Sequence, residues 1–156
     1  MLTPPIRYTQ GGEELLDIIQ PLWEGLNEHH KEHSPHFRYE YEAYAFRIRK
    51  SMFREKAGSG NMSIIMAEDE TRRLPVAYCI VTVSESGQGE IESIFVEQNY
   101  RGTGVGNHLM QMALAWMEQS GANVKTVAIA AGNEQAVSFY ARYAFFPRQT
   151  LLKQKT

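Results

Sequence analysis

Three glycines occur at alternate positions, Gly102, Gly104 and Gly106, between an apolar segment and an amphipathic one. The segment 90–96 has the pattern of a buried strand, and apolar residues at helical spacing follow from Val105. The start of a helix exposes unpaired backbone N–H groups and the positive end of the helix dipole. Glycines there let an anion approach the backbone closely. The spacing therefore predicts a phosphate-binding turn for a nucleotide-bearing cofactor.

Two common glycine motifs do not fit this turn. The dinucleotide fingerprint G-x-G-x-x-G would require glycine where the chain has Asn107, and the Walker A motif requires Gly-Lys-Ser/Thr. No lysine lies between Lys56 and Lys125. The segment Arg101-Gly102-Thr103-Gly104-Val105-Gly106 instead matches the pattern R/Q-x-x-G-x-G/A.

With this pattern the chain resembles the GNAT superfamily of N-acetyltransferases. The neighbouring motifs also match in order: Phe95-Val96, Asn99-Tyr100 and Asn133-x-x-Ala136-x-x-Phe139-Tyr140. Members usually have Gly-Phe shortly after the last motif, whereas this chain has Ala144-Phe145. Alanine tolerates a positive φ poorly, so the turn there is expected to differ.

The resemblance implies acetyl-CoA as the acetyl donor. The loop amides would bind the pyrophosphate, and a bulge would splay the preceding strand so that its backbone pairs with the pantetheine arm. The expected cofactor contacts are Ile94, Phe95, Val96, Arg101, Gly102, Thr103, Gly104, Val105, Gly106, Asn107, Asn133, Ala136 and Tyr140.

Acetyl transfer to an amine requires removal of a proton from the amine and stabilisation of the leaving thiolate. The resemblance assigns the first role to Glu92, as general base or as a group that binds the substrate amine, with Glu90 in reserve. It assigns the second role to Tyr140, as general acid. Orientation of the amine against the thioester would supply much of the rate without any side chain.

In the GNAT arrangement the first two helices form the wall of the acceptor pocket. His30 and Phe37, together with Glu92, are therefore expected to line it, and Glu28 or Glu32 could attract a cationic amine. The acceptor is expected to be a primary amine of a small molecule or a peptide, and no residue of the first 60 identifies which one. Solvated histidines at a polar helix end are the alternative for this segment.

Two other functions remain open at this stage. His29, Glu32 and His33 form an H-x-x-E-H string, a pattern of zinc peptidases, which would make the chain a zinc hydrolase. The helix is expected to end within two residues of the string, at Pro35, and no third ligand is evident, so no metal is expected. The second alternative is a sensor domain of the same fold, which binds acyl-CoA without turnover.

These sites require a definite set of elements, which the hydrophobic pattern supplies. The expected fold is a single α/β (mixed α+β) domain over residues 1–156, with a mostly antiparallel mixed sheet, one splayed parallel strand pair and about four helices. The predicted elements are an apolar start at 5–8, a helix from 13 to 33 with a kink or restart at Pro21, a helix over 39–56, strands over 62–67, 75–83 and 90–96, a helix from 105 ended by Gly121, a doubly buried strand over 124–131, a helix from the cap Asn133 to 144, and a strand after Pro147.

The amino-acid composition limits the classes of partner that are expected. The formal charge of −2 and the absence of a Lys/Arg-rich run argue against nucleic-acid binding. The single cysteine, Cys79, excludes an internal disulfide, and no apolar run reaches the ~18 residues of a membrane span. A cytoplasmic protein that does not bind membranes is therefore expected. A homodimer is possible, with 145–152 as the expected interface.

Overall fold

The computed structural model describes residues 3–156, which form a five-stranded sheet with helices on both faces. The strands are β1 (Ile6–Gly11), β2 (Gly60–Asp69), β3 (Leu74–Ser84), β4 (Gln88–Val96) and β5 (Val124–Val127). The helices are α1 (Leu16–His33), α2 (Arg38–Glu42), α3 (Phe46–Ser59), α4 (Val105–Gln119) and α5 (Ala136–Ala141), with short 3₁₀ turns at Glu13–Leu15 and Gln98–Tyr100. No helix among these is long and apolar enough to cross a bilayer.

The strands follow chain order across the sheet, β1-β2-β3-β4-β5, and every neighbouring pair is antiparallel except β4 with β5. Alternate residues of β3 point to opposite faces of the sheet. Cys79 and Val81 pack in a core with α4, while Tyr78 and Ile80 pack in a second core with α1 and α3. The mixed sheet with one parallel pair confirms the predicted fold.

The parallel pair β4–β5 is short, and this determines where the site lies. The pairing runs from Gln88 opposite Val124 to Ile91 opposite Val127. Over residues 92–96 β4 has no neighbour on the β5 side, while residues 93–96 stay paired with β3 on the other side. The predicted strand over 124–131 is therefore too long: the apolar residues 128–130 line a cleft instead of a second buried face of the sheet.

The predicted helix over 39–56 is interrupted by residues 43–45. Nothing in the local sequence breaks it, since no glycine or proline lies there. The side-chain amide of Asn27, on α1, donates to the carbonyls of Tyr41 at 3.0 Å and Tyr44 at 3.5 Å. The tertiary contact thus uses carbonyls that a continuous helix would need.

Three other predicted features differ in detail. Helix α1 continues through Pro21 without a restart. The N-cap residue of helix α5 is Gln135, and no side chain caps the helix, so Asn133 is not the cap. The backbone carbonyl of Asn133 accepts a hydrogen bond from Ala136 N at 3.0 Å. The expected strand after Pro147 is absent from the described chain, where residues 147–156 are exposed and form no regular structure.

Candidate active site

A cleft of about 800 Å³ opens where β4 separates from β5. Its walls come from residues 92–96 of β4, from 127–130 after β5, from the glycine loop, from α5 and from the second half of α1. A concave site at the end of a separating parallel pair is a common place for a ligand. The fold therefore gathers segments that are far apart in sequence around one cavity.

The glycine loop forms one end of this cleft. Gly102 and Gly104 have φ of 75° and 90°, and a Cβ added at either would meet no atom within 4 Å. These two glycines are thus required by backbone conformation, not by lack of space. The first hydrogen bond across the start of α4 runs from His108 N to Gly104 O at 3.0 Å. The N–H groups of residues 105–107 precede it, so they are available to an anion.

Arg101 ties this loop to the end of β4. Its Nε donates to Val96 O at 2.9 Å, and its guanidinium lies 5.6 Å from the centre of the Phe95 ring. Arg142, on the chain after α5, also lines the cleft and lies 5.0 Å from the Phe139 ring. Two arginines therefore border the cleft near the loop amides.

Tyr140 lies on α5 and lines the cleft with only 6% of its surface exposed. Its ring contacts Phe139 edge-on, with centroids 5.2 Å apart. The hydroxyl forms no hydrogen bond with another residue of the described range. Burial, with a smaller contribution from Cys79, raises the pKa of Tyr140, so the phenol keeps its proton at neutral pH. The site therefore holds a protonated donor with no competing protein acceptor.

Glu92 occupies a β-bulge at the point where β4 leaves β5. Ile80 pairs with Ser93 and Val81 with Ile91, so Glu92 has no partner on β3. Its side chain is 1% exposed, although the residue as a whole is half-buried, so the exposed part is backbone. The bulge thus buries a carboxylate and presents main chain to the cleft.

The Glu92 carboxylate is held by cationic and hydroxyl groups. Lys56 Nζ lies 2.8 Å from Glu92 Oε1, and Thr82 Oγ1 donates to Glu92 Oε2 at 3.1 Å. Arg49 Nη2 lies 3.8 Å from Glu92 Oε1 and donates to the Glu92 carbonyl at 2.9 Å. Two cations therefore neutralise the buried charge.

Glu90 shares Lys56 with Glu92 but does not line the cleft. Lys56 Nζ donates to Glu90 Oε2 at 3.0 Å, and the Glu90 side chain is 38% exposed. Burial lowers the pKa of Lys56, but the hydrogen bonds from Lys56 to Glu92 and Glu90 outweigh it, so the pKa is raised. The lysine remains charged beside the two carboxylates.

His30 contributes a neutral imidazole to the cleft wall. Its Nδ1 is buried without a partner in the described part of the chain, and its ring lies 5.5 Å from that of Tyr41. Burial, assisted by the charges of His29 and His33, lowers the pKa of His30 to about 4. At pH 7 the ring therefore adds no positive charge.

Three of the predicted site residues do not line the cleft. Phe37 lies 6.2 Å from the Tyr39 ring and 6.0 Å from Lys153 Nζ. Thr103 Oγ1 donates to Tyr100 O at 2.5 Å instead of facing a ligand, and the Val105 side chain is buried in the core beside α4. Those that do line the cleft are Glu92, Tyr140, His30, Ile94, Phe95, Val96, Arg101, Gly102, Gly104, Gly106, Asn107, Asn133 and Ala136.

The two acidic residues expected to attract a cationic amine also lie outside the cleft lining. Glu28 pairs with Lys31 at 2.8 Å, and Glu32 is exposed. The sequence analysis assigned no role to Arg49 or to the aromatic wall, whose members are Trp23, Tyr41 and Tyr44. No local motif marks these residues, because the packing of α1 against α2 and α3 brings them together.

The H-x-x-E-H string has a different arrangement from a metal site. The rings of His29 and His33 stack at 4.2 Å, and His33 Nδ1 donates to the His29 carbonyl at 2.8 Å. Within residues 3–156 no group of three or more His, Cys, Asp or Glu side chains is placed to hold a metal ion.

A sequence profile described as the Acetyltransferase (GNAT) family matches residues 18–145. Comparison with curated proteins found no match. A GCN5-related N-acetyltransferase from Ralstonia eutropha JMP134 is similar in structure, with a TM-score of 0.74 and 18% identity over 97% of this chain and 99% of that one.

Two further solved structures have the same fold. A putative acetyl transferase from Pyrococcus furiosus has a TM-score of 0.70 and 21% identity, covering 96% of this chain and all of that one (100%). An aminoglycoside N-acetyltransferase, AAC(6')-Iy in complex with CoA, has a TM-score of 0.70 and 12% identity, and the match covers 99% of this chain and 97% of that one. With the profile match over most of its length, the chain belongs to the GNAT family of acetyltransferases.

Proposed function

We propose that this protein moves an acetyl group from acetyl-CoA to a primary amine. The observation that carries the proposal is the β5-side edge of β4 over residues 92–96, which has no neighbouring strand and lies beside the glycine loop. An extended amide-rich chain such as pantetheine can pair with such a strand as an added neighbour would. The solved relative AAC(6')-Iy, which binds CoA, has the same fold.

The cofactor would lie along the cleft with its phosphates at the start of α4. The amides of residues 105–107 supply donors, and Arg101 and Arg142 supply positive charge. Asn107, Asn133 and Ala136 line the same end of the cavity. The thioester would then lie near Tyr140, whose hydroxyl has no acceptor among the described side chains.

The reaction is a direct transfer. The amine nitrogen attacks the thioester carbonyl carbon, a C–N bond forms, and the C–S bond breaks. The electron pair of that bond leaves with sulfur, which takes the proton of Tyr140; solvent then returns a proton to the phenolate. The nitrogen gives up two protons: one to solvent after the C–N bond has formed and, before it attacks, the ammonium proton to Glu92, directly or through water. Because an alkyl amine has a reference pKa of about 10.4, this proton must be removed for attack at pH 7.

The proposal also covers the cellular location and the oligomeric state of the protein. We infer that residues 1–156 act as one catalytic domain in the cytoplasm, where the thiol of Cys79 stays reduced. Burial raises the pKa of that thiol to about 12, which keeps it unreactive. We also infer a homodimer joined through the exposed C-terminal segment.

Calorimetric titration with acetyl-CoA, with NAD as a control ligand, tests the cofactor. Gly104→Ala should weaken acetyl-CoA binding about tenfold, because alanine strains a residue with positive φ and shifts the loop amides. Gly58→Ala is the matched control: its Cβ would meet no atom within 4 Å and its φ is not positive. A loop variant that bound as tightly as the control would contradict the proposed cradle.

A transfer assay separates the enzyme from the sensor alternative. Thiol release from acetyl-CoA is measured with a panel of primary amines, and release that depends on the amine supports transfer. Tight binding of acetyl-CoA with no release for any amine would favour the sensor.

A further inference from the structure

The charge of the cleft lining bears on the identity of the acceptor. Among the described residues the lining contains three arginines, Arg49, Arg101 and Arg142, and one acidic residue, Glu92, whose carboxylate is buried behind its main chain. With neutral histidines the formal charge of these lining residues is +2. The carboxylate is already paired with Lys56. Such a lining offers a polycation no free counter-charge.

The three arginines divide between the two ends of the cleft. Arg101 and Arg142 border the glycine loop, where the cofactor phosphates are proposed to lie. Arg49 projects from α3 toward the bulge of β4, at the other end. Lys56 makes the close ion pair with Glu92 at 2.8 Å, whereas Arg49 lies 3.8 Å from the carboxylate, so Arg49 is the arginine placed to meet the acceptor.

Arg49 is held in place with donors to spare. Its guanidinium lies over the Phe53 ring at 4.3 Å, and Nη2 donates to the Glu92 carbonyl at 2.9 Å. The side chain is 18% exposed, and Nε and Nη1 donate no hydrogen bond to the described part of the chain. A guanidinium with free N–H donors in a partly buried cleft can bind a carboxylate through two hydrogen bonds.

The wall beside Arg49 is aromatic. The rings of His30 and Tyr41 lie 5.5 Å apart, and those of Trp23 and Tyr44 lie 5.7 Å apart. The Asn27 amide holds the carbonyls of both tyrosines, so the two halves of the wall are fixed to α1. An aromatic ring or an apolar side chain of the acceptor can pack against this surface.

We propose that the acceptor is a small amine that also carries a carboxylate on an aromatic or apolar body, the chemistry of an apolar amino acid. Its carboxylate binds Arg49, its body packs on the aromatic wall, and its amine faces Glu92 and the thioester. This inference rests on the proposed acetyl transfer at the same site.

Three acceptors separate the alternatives: L-phenylalanine, phenethylamine, which lacks only the carboxylate, and spermidine, a polycation. With acetyl-CoA saturating, kcat/KM for phenylalanine should exceed that for phenethylamine at least tenfold, and spermidine should be the poorest. Equal values for the first two, or a preference for spermidine, would overturn the proposal.

Arg49→Gln tests the residue. The ratio of kcat/KM for phenylalanine to that for phenethylamine should collapse toward one, mainly through KM for phenylalanine, and Arg49→Lys should restore part of it. Arg47→Gln, an exposed arginine on the same helix and outside the cleft, is the matched control and should keep the ratio. An unchanged ratio in Arg49→Gln, with melting temperature and acetyl-CoA affinity intact, would contradict the assignment.

A binding measurement keeps this inference separate from catalysis. Phenylalanine and phenethylamine are titrated into protein saturated with CoA, which cannot turn over. Stronger binding of phenylalanine that depends on Arg49, in a protein that transfers no acetyl group, would refute the proposed function and support the ligand class. Binding of neither compound, or equal binding of both, would overturn the ligand class.

Discussion

Lys56 Nζ lies 2.8 Å from Glu92 Oε1, so a cation on α3 holds the buried carboxylate at the bulge of β4. The same lysine contacts Glu90, which places two acidic residues of one strand on one cation. Only Glu92 of the pair lines the cleft. The difference between these two glutamates gives a direct test of the catalytic assignment.

Glu92→Gln should lower kcat/KM for amine acetylation about 100-fold, because an amide cannot accept the amine proton. Glu90→Gln removes the other carboxylate from Lys56 and should stay within about threefold of the wild type. The measurement is thiol release at fixed acetyl-CoA with varied amine. If the two variants lost activity equally, Glu92 would act through the Lys56 network and not as a base.

Tyr140→Phe should lower kcat about 100-fold while the affinity for CoA stays the same, because the ring remains and only the proton donor is lost. Calorimetry measures the affinity, and the transfer assay measures kcat. Tyr39→Phe, at an exposed tyrosine outside the cleft lining, is the control. Full activity in Tyr140→Phe would mean that the thiolate leaves without help from this phenol.

His30 should make stability depend on pH. Its pKa is about 4 in the folded protein and about 6.5 when the chain unfolds, so the unfolded chain takes up a proton first as the pH falls. The contribution of neutral His30 to the free energy of unfolding is fully present above pH 6.5 and is lost progressively as the pH falls toward 4. A shift of this size corresponds to at most about 3 kcal/mol, and exposure to the cleft reduces the expected loss to about 1–2 kcal/mol.

Urea unfolding at pH 7, 5.5 and 4.5 measures this effect. The free energy of unfolding of His30→Gln should fall less steeply over this range than that of the wild type. His36→Gln, at an exposed histidine, should follow the wild type. Parallel curves for the wild type and His30→Gln would show that His30 is not the group responsible.

Ala144→Gly should stabilise the protein. Ala144 has φ of 65°, a region that costs a residue with a Cβ roughly 1–2 kcal/mol. Glycine removes this strain but adds about 0.4–1 kcal/mol of unfolded-state entropy, so a net gain of about 0.5–1 kcal/mol is expected. Ala141→Gly, within α5, should instead destabilise by a similar amount. Thermal unfolding of both variants decides whether the sign reverses as expected.

The exposed C-terminal segment should control the oligomeric state. Phe146, Leu151 and Leu152 are 70%, 89% and 88% exposed, and β5 has no second neighbour among the described strands. If this segment pairs with a second copy, Leu151→Glu with Leu152→Glu should convert a dimer into a monomer in light scattering. Ile18→Glu, at an exposed apolar residue of α1, should leave the dimer intact.

Local sequence was sufficient for the strand, turn and helix that hold the glycine loop. The positive φ angles at Gly102 and Gly104 and the start of α4 at Val105 depend on residues within a few positions. The expectation that the turn at Ala144 would differ was wrong: its φ is 65°, so the chain adopts a positive φ there although the residue has a Cβ. Short-range conformational preference and hydrophobic period are properties of the chain itself, so they can be predicted from it.

Tertiary structure decided the length of β5, the break between α2 and α3 and the composition of the acceptor end. Asn27 breaks the predicted second helix from a distance of 14 residues in sequence, and Arg49 reaches Glu92 across 43. The apolar residues 128–130 follow a strand pattern, yet the separation of β4 from β5 turns them toward a cleft. The sequence alone determined the family, the fold class and the glycine loop; packing between distant elements determined which side chains surround the substrate, because such contacts leave no local pattern.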